Sequence, residues 1–193
     1  MTILVLLILS YLIGSIPTAL IVGRLGYGVD IREHGSGNLG GTNTFRSLGI
    51  APGVIVSAVD VLKGTLGAAL PVLAGVDLHP IFAGIPAVLG HCYPVFAGFR
   101  GGKAVATSGG VLLFISPLLF VTGLLVFFLS LYAWKYVSLA SMITGVYVHL
   151  FAIFTDDKVL SLGTFILCLL VLYRHRSNIE RIMNKTETRI TWM

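Results

Sequence analysis

Long apolar stretches separated by short polar segments run through the whole sequence and limit what it can fold into. Most of them approach or exceed the 20 or so residues that a helix needs to cross a hydrocarbon core of about 30 Å. They are Thr2 to Gly23, Ala51 to Gly75, His79 to Ala97, Ala104 to Trp134, Tyr136 to Phe154 and Val159 to Tyr173. A helix satisfies its own backbone hydrogen bonds in lipid, so we predict an all-α integral membrane protein.

The composition supports this prediction. Apolar residues make up 56% of the chain and charged residues 11%, and the mean hydropathy is +0.95, which leaves too few polar groups for a water-facing surface. We therefore expect one membrane-embedded domain over residues 1–193. The first stretch lacks the basic start and clear cleavage site of a signal peptide, so we expect it to remain as a span. Nucleic acid is not an expected partner, because the cations are not interleaved with aromatics on a soluble element.

The stretch from Ala104 to Trp134 is too long for one span. Its 31 residues would form a helix of about 46 Å. Ser116 and Pro117 offer a natural break, since proline lacks the backbone donor that a helix interior needs. Dividing the stretch there gives a bundle of about seven transmembrane helices.

The distribution of cations supports an odd number of spans. With seven spans and the amino terminus outside, every cation-rich segment faces the cytoplasm, whereas six spans would place the basic tail outside. The cations concerned are Arg24, Arg32, Arg46, Arg100, Lys103, Lys135, Arg174, Arg176, Arg181, Lys185 and Arg189. The segments around Asp77 and Asp156 would lie outside.

The first polar segment, His34–Arg46, combines glycines with hydroxyl and amide side chains. Glycine backbone allows N–H groups to converge on an anion, Ser36, Asn38, Thr42 and Asn43 add hydrogen-bond partners, and Arg46 can hold a phosphate with two N–H groups. Gly35 to Gly40 also matches G-x-G-x-x-G, but this pattern follows a membrane span and not a strand, so we reject a dinucleotide site. A flexible turn with tightly packed glycines remains an alternative.

The second polar segment, Gly90–Thr107, contains Gly101, Gly102 and Lys103 at the expected start of a helix. Ala97 and Ala104 replace residues that a Walker motif requires, so ATP hydrolysis is not supported. We expect an exposed glycine backbone beside two cations, which suits a phosphate. The cations could instead serve only to orient the spans.

The third polar segment, Arg174–Glu187, follows the last span. If the helix continues, His175, Asn178 and either Arg181 or Ile182 share one face where it leaves the lipid. A solvated basic tail is the alternative. Within the second span, Asp60 and Lys63 are spaced to pair with each other, and Lys63 could either serve structure or face a substrate.

These segments together resemble the acyl-phosphate glycerol-3-phosphate acyltransferase family of bacterial membrane enzymes. The matching residues are Ser36 to Asn43 with Arg46, Asp60 with Lys63 and Gly64, Gly90 and His91 with Pro94, Phe99 to Thr107, and His175, Asn178, Ile179 and Arg181. Two positions depart from the family pattern. Ala104 stands where the family commonly has glycine, which is nearly as small, and Lys185 precedes Thr186 and Glu187 where the family commonly has glycine.

The resemblance implies transfer of a fatty acyl group from acyl phosphate to glycerol 3-phosphate, giving 1-acylglycerol 3-phosphate and phosphate at the cytoplasmic face of the bacterial inner membrane. Ser36, His175 and Lys103 are then expected to be catalytic. Expected substrate-binding residues are Asn38, Thr42, Asn43, Arg46, Lys63, Gly101, Gly102, Asn178 and Arg181. Membrane lipid would be a partner, and no metal or cofactor is expected.

Two other functional classes remain open at this stage. A phosphate-ester transporter also uses cations and glycine-broken helices, but it needs a site at the membrane midplane, whereas these polar segments gather on one side. A lipid phosphotransferase would require clustered aspartates for a divalent metal. The adjacent Asp156 and Asp157 lie on the predicted outer side.

Overall fold

A computed structural model describes residues 1–190, in which the regular secondary structure consists of ten α-helices and two 3₁₀ turns. No strand occurs among these residues, which confirms the predicted all-α class and agrees with the rejection of a dinucleotide site. Contacts within the chain divide into two compact units, Met1–Ile115 and Ser116–Met193. A single domain over the whole chain stays a prediction.

The first unit contains six helices. They are α1 (Thr2–Gly14), α2 (Thr18–Tyr27), α3 (Gly41–Leu48), α4 (Ile50–Leu73), α5 (Pro80–Cys92) and α6 (Val105–Ile115), with 3₁₀ turns at Ile31–Glu33 and Val95–Ala97. The second unit contains α7 (Pro117–Trp134), α8 (Val137–Ile153), α9 (Lys158–Arg174) and α10 (Arg176–Met183).

Apolar helices occur in each of the predicted stretches, whereas the number of seven spans stays a prediction. Four candidate spans are long and apolar enough to cross a membrane: Thr2–Tyr27, Ile50–Leu73, Pro80–Ala97 and Pro117–Trp134. A fifth candidate is the pair α9 and α10, which is bent by 56°, and α6 and α8 are shorter apolar helices. The predicted break is also present, because Ser116 has a non-helical backbone and Pro117 begins α7.

The first candidate span, Thr2–Tyr27, consists of two helices. α1 ends at Gly14, and Pro17 precedes α2, which begins at Thr18. Proline has no backbone N–H and disfavours helical geometry in the residue before it, so the helix is interrupted there. The interruption matters for the site because it lies at Ile16, whose carbonyl accepts a hydrogen bond of 2.9 Å from the Lys63 side chain of α4.

Glycine allows α4 and α6 to approach each other closely. A Cβ added at Gly64 of α4 would collide with the carbonyl oxygen of Thr107, and one added at Gly110 of α6 would collide with the carbonyl oxygen of Val61. Small residues of this kind are a common basis of helix packing in lipid. The contact fixes the start of α6, and therefore the position of the second polar segment, relative to α4.

Candidate active site

The first polar segment is held together by one buried side chain, Asn43. Its amide nitrogen donates to the carbonyls of Ile31 and His34, at 3.2 and 3.0 Å, and its oxygen accepts from the backbone N–H of Ser36 at 2.8 Å. Gly35 has a positive φ of 59°, and a Cβ there would collide with the Asn43 side chain. Asn43 therefore shapes this loop, and its predicted contact with substrate stays a prediction.

The other predicted site residues of the first polar segment are less buried than Asn43. Ser36, Thr42 and Arg46 are exposed, and Asn38 is half-buried. Thr42 and Arg46 lie on α3, one helical turn apart, and Ser36 is bonded through its backbone to Asn43 of the same helix. The Asn43 hydrogen bonds therefore place an arginine and two hydroxyl groups on a single helix and the loop before it.

The second polar segment differs from the prediction in one respect. Gly101 and Gly102 are buried, whereas we expected their backbone to be exposed. The N–H of Gly102 donates to the carbonyl of His91 at the end of α5, at 3.0 Å, so the glycines pack against this helix end. Lys103 is half-buried and lies two residues before α6 begins at Val105.

Ala104 shows why the family commonly has glycine at this position. Its φ is +73°, in the left-handed region, and its side chain is fully buried. A residue with a Cβ is strained in that conformation by roughly 1–2 kcal/mol, whereas glycine is not. Backbone conformation, more than side-chain size, therefore distinguishes the two residues here.

Three ionisable side chains form a buried cluster beside this loop. Asp60, Lys63 and His91 are between 1% and 6% exposed. The Lys63 ammonium lies 2.8 Å from Asp60 Oδ1, donates to the carbonyl of Ile16 at 2.9 Å and lies 3.4 Å from His91 Nδ1. The structure thus shows the ion pair that the spacing of Asp60 and Lys63 allowed. A direct contact between Lys63 and substrate stays a prediction.

In the second unit, His175 lies at the bend between α9 and α10. The ring is 3% exposed, and its Nδ1 lies 2.8 Å from the carbonyl of Val171. A carbonyl can only accept a hydrogen bond, so Nδ1 carries the proton and the neutral ring has its lone pair on Nε2. The condition that the helix continues straight through His175 is not met, because α10 is bent by 56° from α9.

Glu187 organises the rest of the third polar segment, and the sequence analysis did not identify it. Its carboxylate is 8% exposed and accepts hydrogen bonds of 2.7 Å from Ser138, Asn178 and Arg181. Burial alone would raise the pKa of Glu187, but the hydrogen bonds from these three side chains outweigh it and lower the pKa. The only signal in the sequence was the family pattern around Thr186 and Glu187.

The tail also contacts the turn between α7 and α8. The N–H of Ile190 donates to the carbonyl of Lys135 at 2.9 Å, and Arg189 Nε donates to the hydroxyl of Tyr136 at 3.0 Å. The third polar segment is therefore a folded structure and not the solvated tail that was its alternative.

Comparisons with known proteins identify the family of this chain. A family model described as glycerol-3-phosphate acyltransferase matches residues 4–185. The chain belongs to the glycerol-3-phosphate acyltransferase family. The glycerol-3-phosphate acyltransferase of Bacillus subtilis (strain 168) is 59% identical over 193 residues, covering 100% of both chains. That of Geobacillus kaustophilus (strain HTA426) is 58% identical over 188 residues, covering 97% of this chain and 95% of the other.

Two solved structures of this acyltransferase family are similar over nearly the whole chain. Both are described as PlsY (YgiH), an integral membrane glycerol 3-phosphate acyltransferase. The glycerol 3-phosphate form has a TM-score of 0.93 at 40% identity, covering 99% of this chain and 96% of the other. The lysophosphatidic acid form has a TM-score of 0.91 at 39% identity, with the same coverage. The family that the sequence resembles is thus confirmed, and the chain is a multi-pass membrane protein.

The Glu187 cluster predicts a pH dependence of stability for this acyltransferase. The folded pKa lies below that of an unfolded glutamate, about 4.3, so the carboxylate stabilises the fold above that pH. This contribution is lost as the pH falls through the folded pKa. We expect the thermal midpoint of the purified protein in detergent to fall in this acidic range. Glu187→Gln should lower the midpoint at pH 7 and flatten its pH dependence.

Glu180→Gln is the matched control, because Glu180 is an exposed carboxylate on α10. It should leave the midpoint and its pH dependence close to those of the wild type. If Glu187→Gln behaved like this control, the carboxylate would not stabilise the tail.

Proposed function

We propose that this protein transfers a fatty acyl group from acyl phosphate to glycerol 3-phosphate, forming 1-acylglycerol 3-phosphate and inorganic phosphate. Family membership over nearly the full chain is the observation that carries the proposal. The two related structures are described as the glycerol 3-phosphate form and the lysophosphatidic acid form, which correspond to the acceptor and the product of this reaction. Both substrates are phosphorylated, so the enzyme needs cationic groups that are available to bind them.

The ion pairs indicate which arginines can bind the acceptor phosphate. Arg24 and Arg32 are engaged with Asp30, at 2.8 and 2.6 Å, and hydrogen bonds from Arg32 and then Arg24 hold the pKa of Asp30 well below its usual range. Arg46 is exposed on α3 and forms no ion pair with any carboxylate of residues 1–190. We assign Arg46, with the Ser36 hydroxyl, to the phosphate of glycerol 3-phosphate.

Lys103 is the residue that we assign to the acyl phosphate. The N–H of Gly102 is already bonded to His91, and the neighbouring ammonium has a full positive charge and three donors with which to bind an anion. Lys103 also lies just before the first turn of α6, where the helix N-terminus favours negative charge. Asn38, Thr42, Asn178 and Arg181 are assigned supporting contacts with either substrate.

The chemical step needs a group that accepts the proton of the glycerol hydroxyl, and it needs stabilisation of the negative charge that develops on the carbonyl oxygen of the donor. The glycerol hydroxyl oxygen attacks the carbonyl carbon of acyl phosphate, the bond from that carbon to the phosphate oxygen breaks, and inorganic phosphate leaves. We assign the hydroxyl proton to Nε2 of His175, because the bond from Nδ1 to Val171 leaves the lone pair of the neutral ring on Nε2. An oxygen of the acyl phosphate is the alternative acceptor.

The donor is tested by supplying the purified protein with palmitoyl phosphate and radiolabelled glycerol 3-phosphate, without added metal. We expect labelled 1-acylglycerol 3-phosphate and an equal amount of inorganic phosphate. Parallel reactions with palmitoyl-CoA and palmitoyl acyl carrier protein should give no product. Product from either of these, but not from palmitoyl phosphate, would overturn the donor assignment.

His175 is tested with His175→Ala and His175→Asn. If the ring accepts the proton, both variants should lower kcat by about a hundredfold or more, because neither supplies a base of suitable pKa. His149→Ala is the control, since His149 is a half-buried histidine of α8 whose ring lies against Thr164 and Phe165. Near-normal turnover in both His175 variants would leave the substrate phosphate as the proton acceptor.

We also propose that the polar segments face the cytoplasm of a bacterial plasma membrane and that the amino terminus lies outside. Contacts within each unit bring the basic segments of that unit together. The tail bonds to Lys135 in the second unit, and Arg24 and Phe96 line the same surface pocket in the first. The excess of cations in these segments then points to the cytoplasm.

The orientation is tested by placing single cysteines at exposed positions of an active, cysteine-free protein. Asp156→Cys should react with a membrane-impermeant maleimide on intact cells, and Thr188→Cys should react only after the cells are permeabilised. Labelling of Thr188→Cys on intact cells would reverse the proposed orientation and place the third polar segment outside.

A further inference from the structure

The buried cluster of Asp60, Lys63 and His91 has a hydrogen-bonding pattern that suggests a role other than direct substrate contact. An ammonium group has three donors and no acceptor. The Lys63 ammonium faces three acceptors, namely Asp60 Oδ1, the carbonyl of Ile16 and Nδ1 of His91. Its donors are therefore matched inside the protein, and a substrate phosphate would have to displace one of these partners.

The same contacts determine the state of the histidine. Lys63 can only donate, so Nδ1 of His91 accepts and the proton of the neutral ring lies on Nε2. Asp60 Oδ1 lies 3.7 Å from the same Nδ1 and also accepts a hydrogen bond from Thr18 at 3.2 Å. The ring orientation is thus set by charges on α4 and by the start of α2.

The opposite edge of the His91 ring rests on the second polar segment. A Cβ added at Gly102 would have three ring atoms of His91 as its nearest neighbours, with Nε2 the closest. The backbone of Gly102 also donates to the carbonyl of His91, at 3.0 Å. His91 therefore contacts Gly102 through both its ring and its backbone, and Lys103 is the next residue.

The cluster is not an arrangement that stability alone would favour. Asp60 is 1% exposed, and its Oδ2 has no hydrogen-bond partner among the described residues. Burying an unpaired carboxylate oxygen costs free energy, and a buried ion pair is often no more stabilising than apolar residues of the same volume. A contribution to the geometry of the neighbouring loop would explain why charged residues occupy these positions.

We propose that Asp60, Lys63 and His91 are positioning residues for Lys103. Asp60 and the Ile16 carbonyl hold Lys63, Lys63 holds the His91 ring, and the ring fixes Gly102 and so the ammonium that follows it. The cluster thereby sets the affinity for the acyl phosphate without touching it. This inference rests on the proposed function, in which Lys103 binds the phosphate of the donor.

A double-mutant cycle between His91 and Gly102 tests the contact. Gly102→Ala forces a Cβ into the His91 ring, so the KM for palmitoyl phosphate should rise by about tenfold or more, with a much smaller change in the KM for glycerol 3-phosphate. His91→Ala should raise the same KM by removing the ring. In the double variant the new Cβ occupies the space that the ring leaves, so its KM should not exceed that of His91→Ala.

The cycle has two matched controls. Gly26→Ala places a Cβ where no atom lies within 4 Å, and His149→Ala removes a histidine ring from the second unit. Both should retain wild-type kinetics. If the effects of His91→Ala and Gly102→Ala simply multiplied, the ring would not position the loop, and the proposal would be overturned.

The charged pair is tested with Lys63→Met alone and with Asp60→Leu added. Lys63→Met leaves a buried carboxylate uncompensated and should lower the thermal midpoint, and the neutral double variant should recover much of this loss. The KM for palmitoyl phosphate should stay raised in the double variant, because neither methionine nor leucine can donate a hydrogen bond to Nδ1 of His91. A wild-type KM in this folded variant would show that the pair is only structural.

Lys103→Ala separates this inference from the proposed function. It should raise the KM for palmitoyl phosphate more than any variant of the cluster. If Lys103→Ala had a wild-type KM, the assignment of Lys103 to the donor and the positioning proposal would both fail. If Lys103→Ala were impaired while the folded cluster variants were not, only the positioning proposal would fail.

Discussion

A lysine buried in a membrane protein needs a full set of acceptors, and the arrangement of the first unit depends on how Lys63 obtains them. One acceptor is a carboxylate on its own helix, one is the Ile16 carbonyl at the interruption caused by Pro17, and one is His91 at the end of α5. An uncompensated charge in this environment would be costly, so these three elements cannot move apart independently. The second polar segment lies directly on this junction.

A similar constraint acts in the second unit, with the sign of the charge reversed. Here a buried carboxylate, Glu187, has donors from the start of α8 and from two positions of α10. Because Ser138 and Glu187 are far apart in sequence, their hydrogen bond closes a long loop that includes α8, α9 and α10. The bend at His175 is therefore stabilised from both sides, by the helix that precedes it and by the tail that follows.

The sequence predicts features that depend on local composition and misses those that depend on distant partners. Stretch length and Pro117 were enough to place the apolar helices and the break before α7. Pro17 escaped notice because the apolar character continues on both sides of it. The burial of Gly101 and Gly102 could not be foreseen, since a glycine-rich segment has the same composition whether its backbone faces water or a neighbouring helix. Glu187 was missed because a glutamate in a basic tail usually lies in solvent, as Glu180 does.

The left-handed conformation of Ala104 affects how an anion would bind at the turn that leads into α6. Strained backbone of this kind persists only where the surrounding packing determines it, and the Ala104 side chain is fully enclosed. The turn that leads into α6 should therefore be preorganised. Binding of an anion would then order little of this backbone and would cost little conformational entropy.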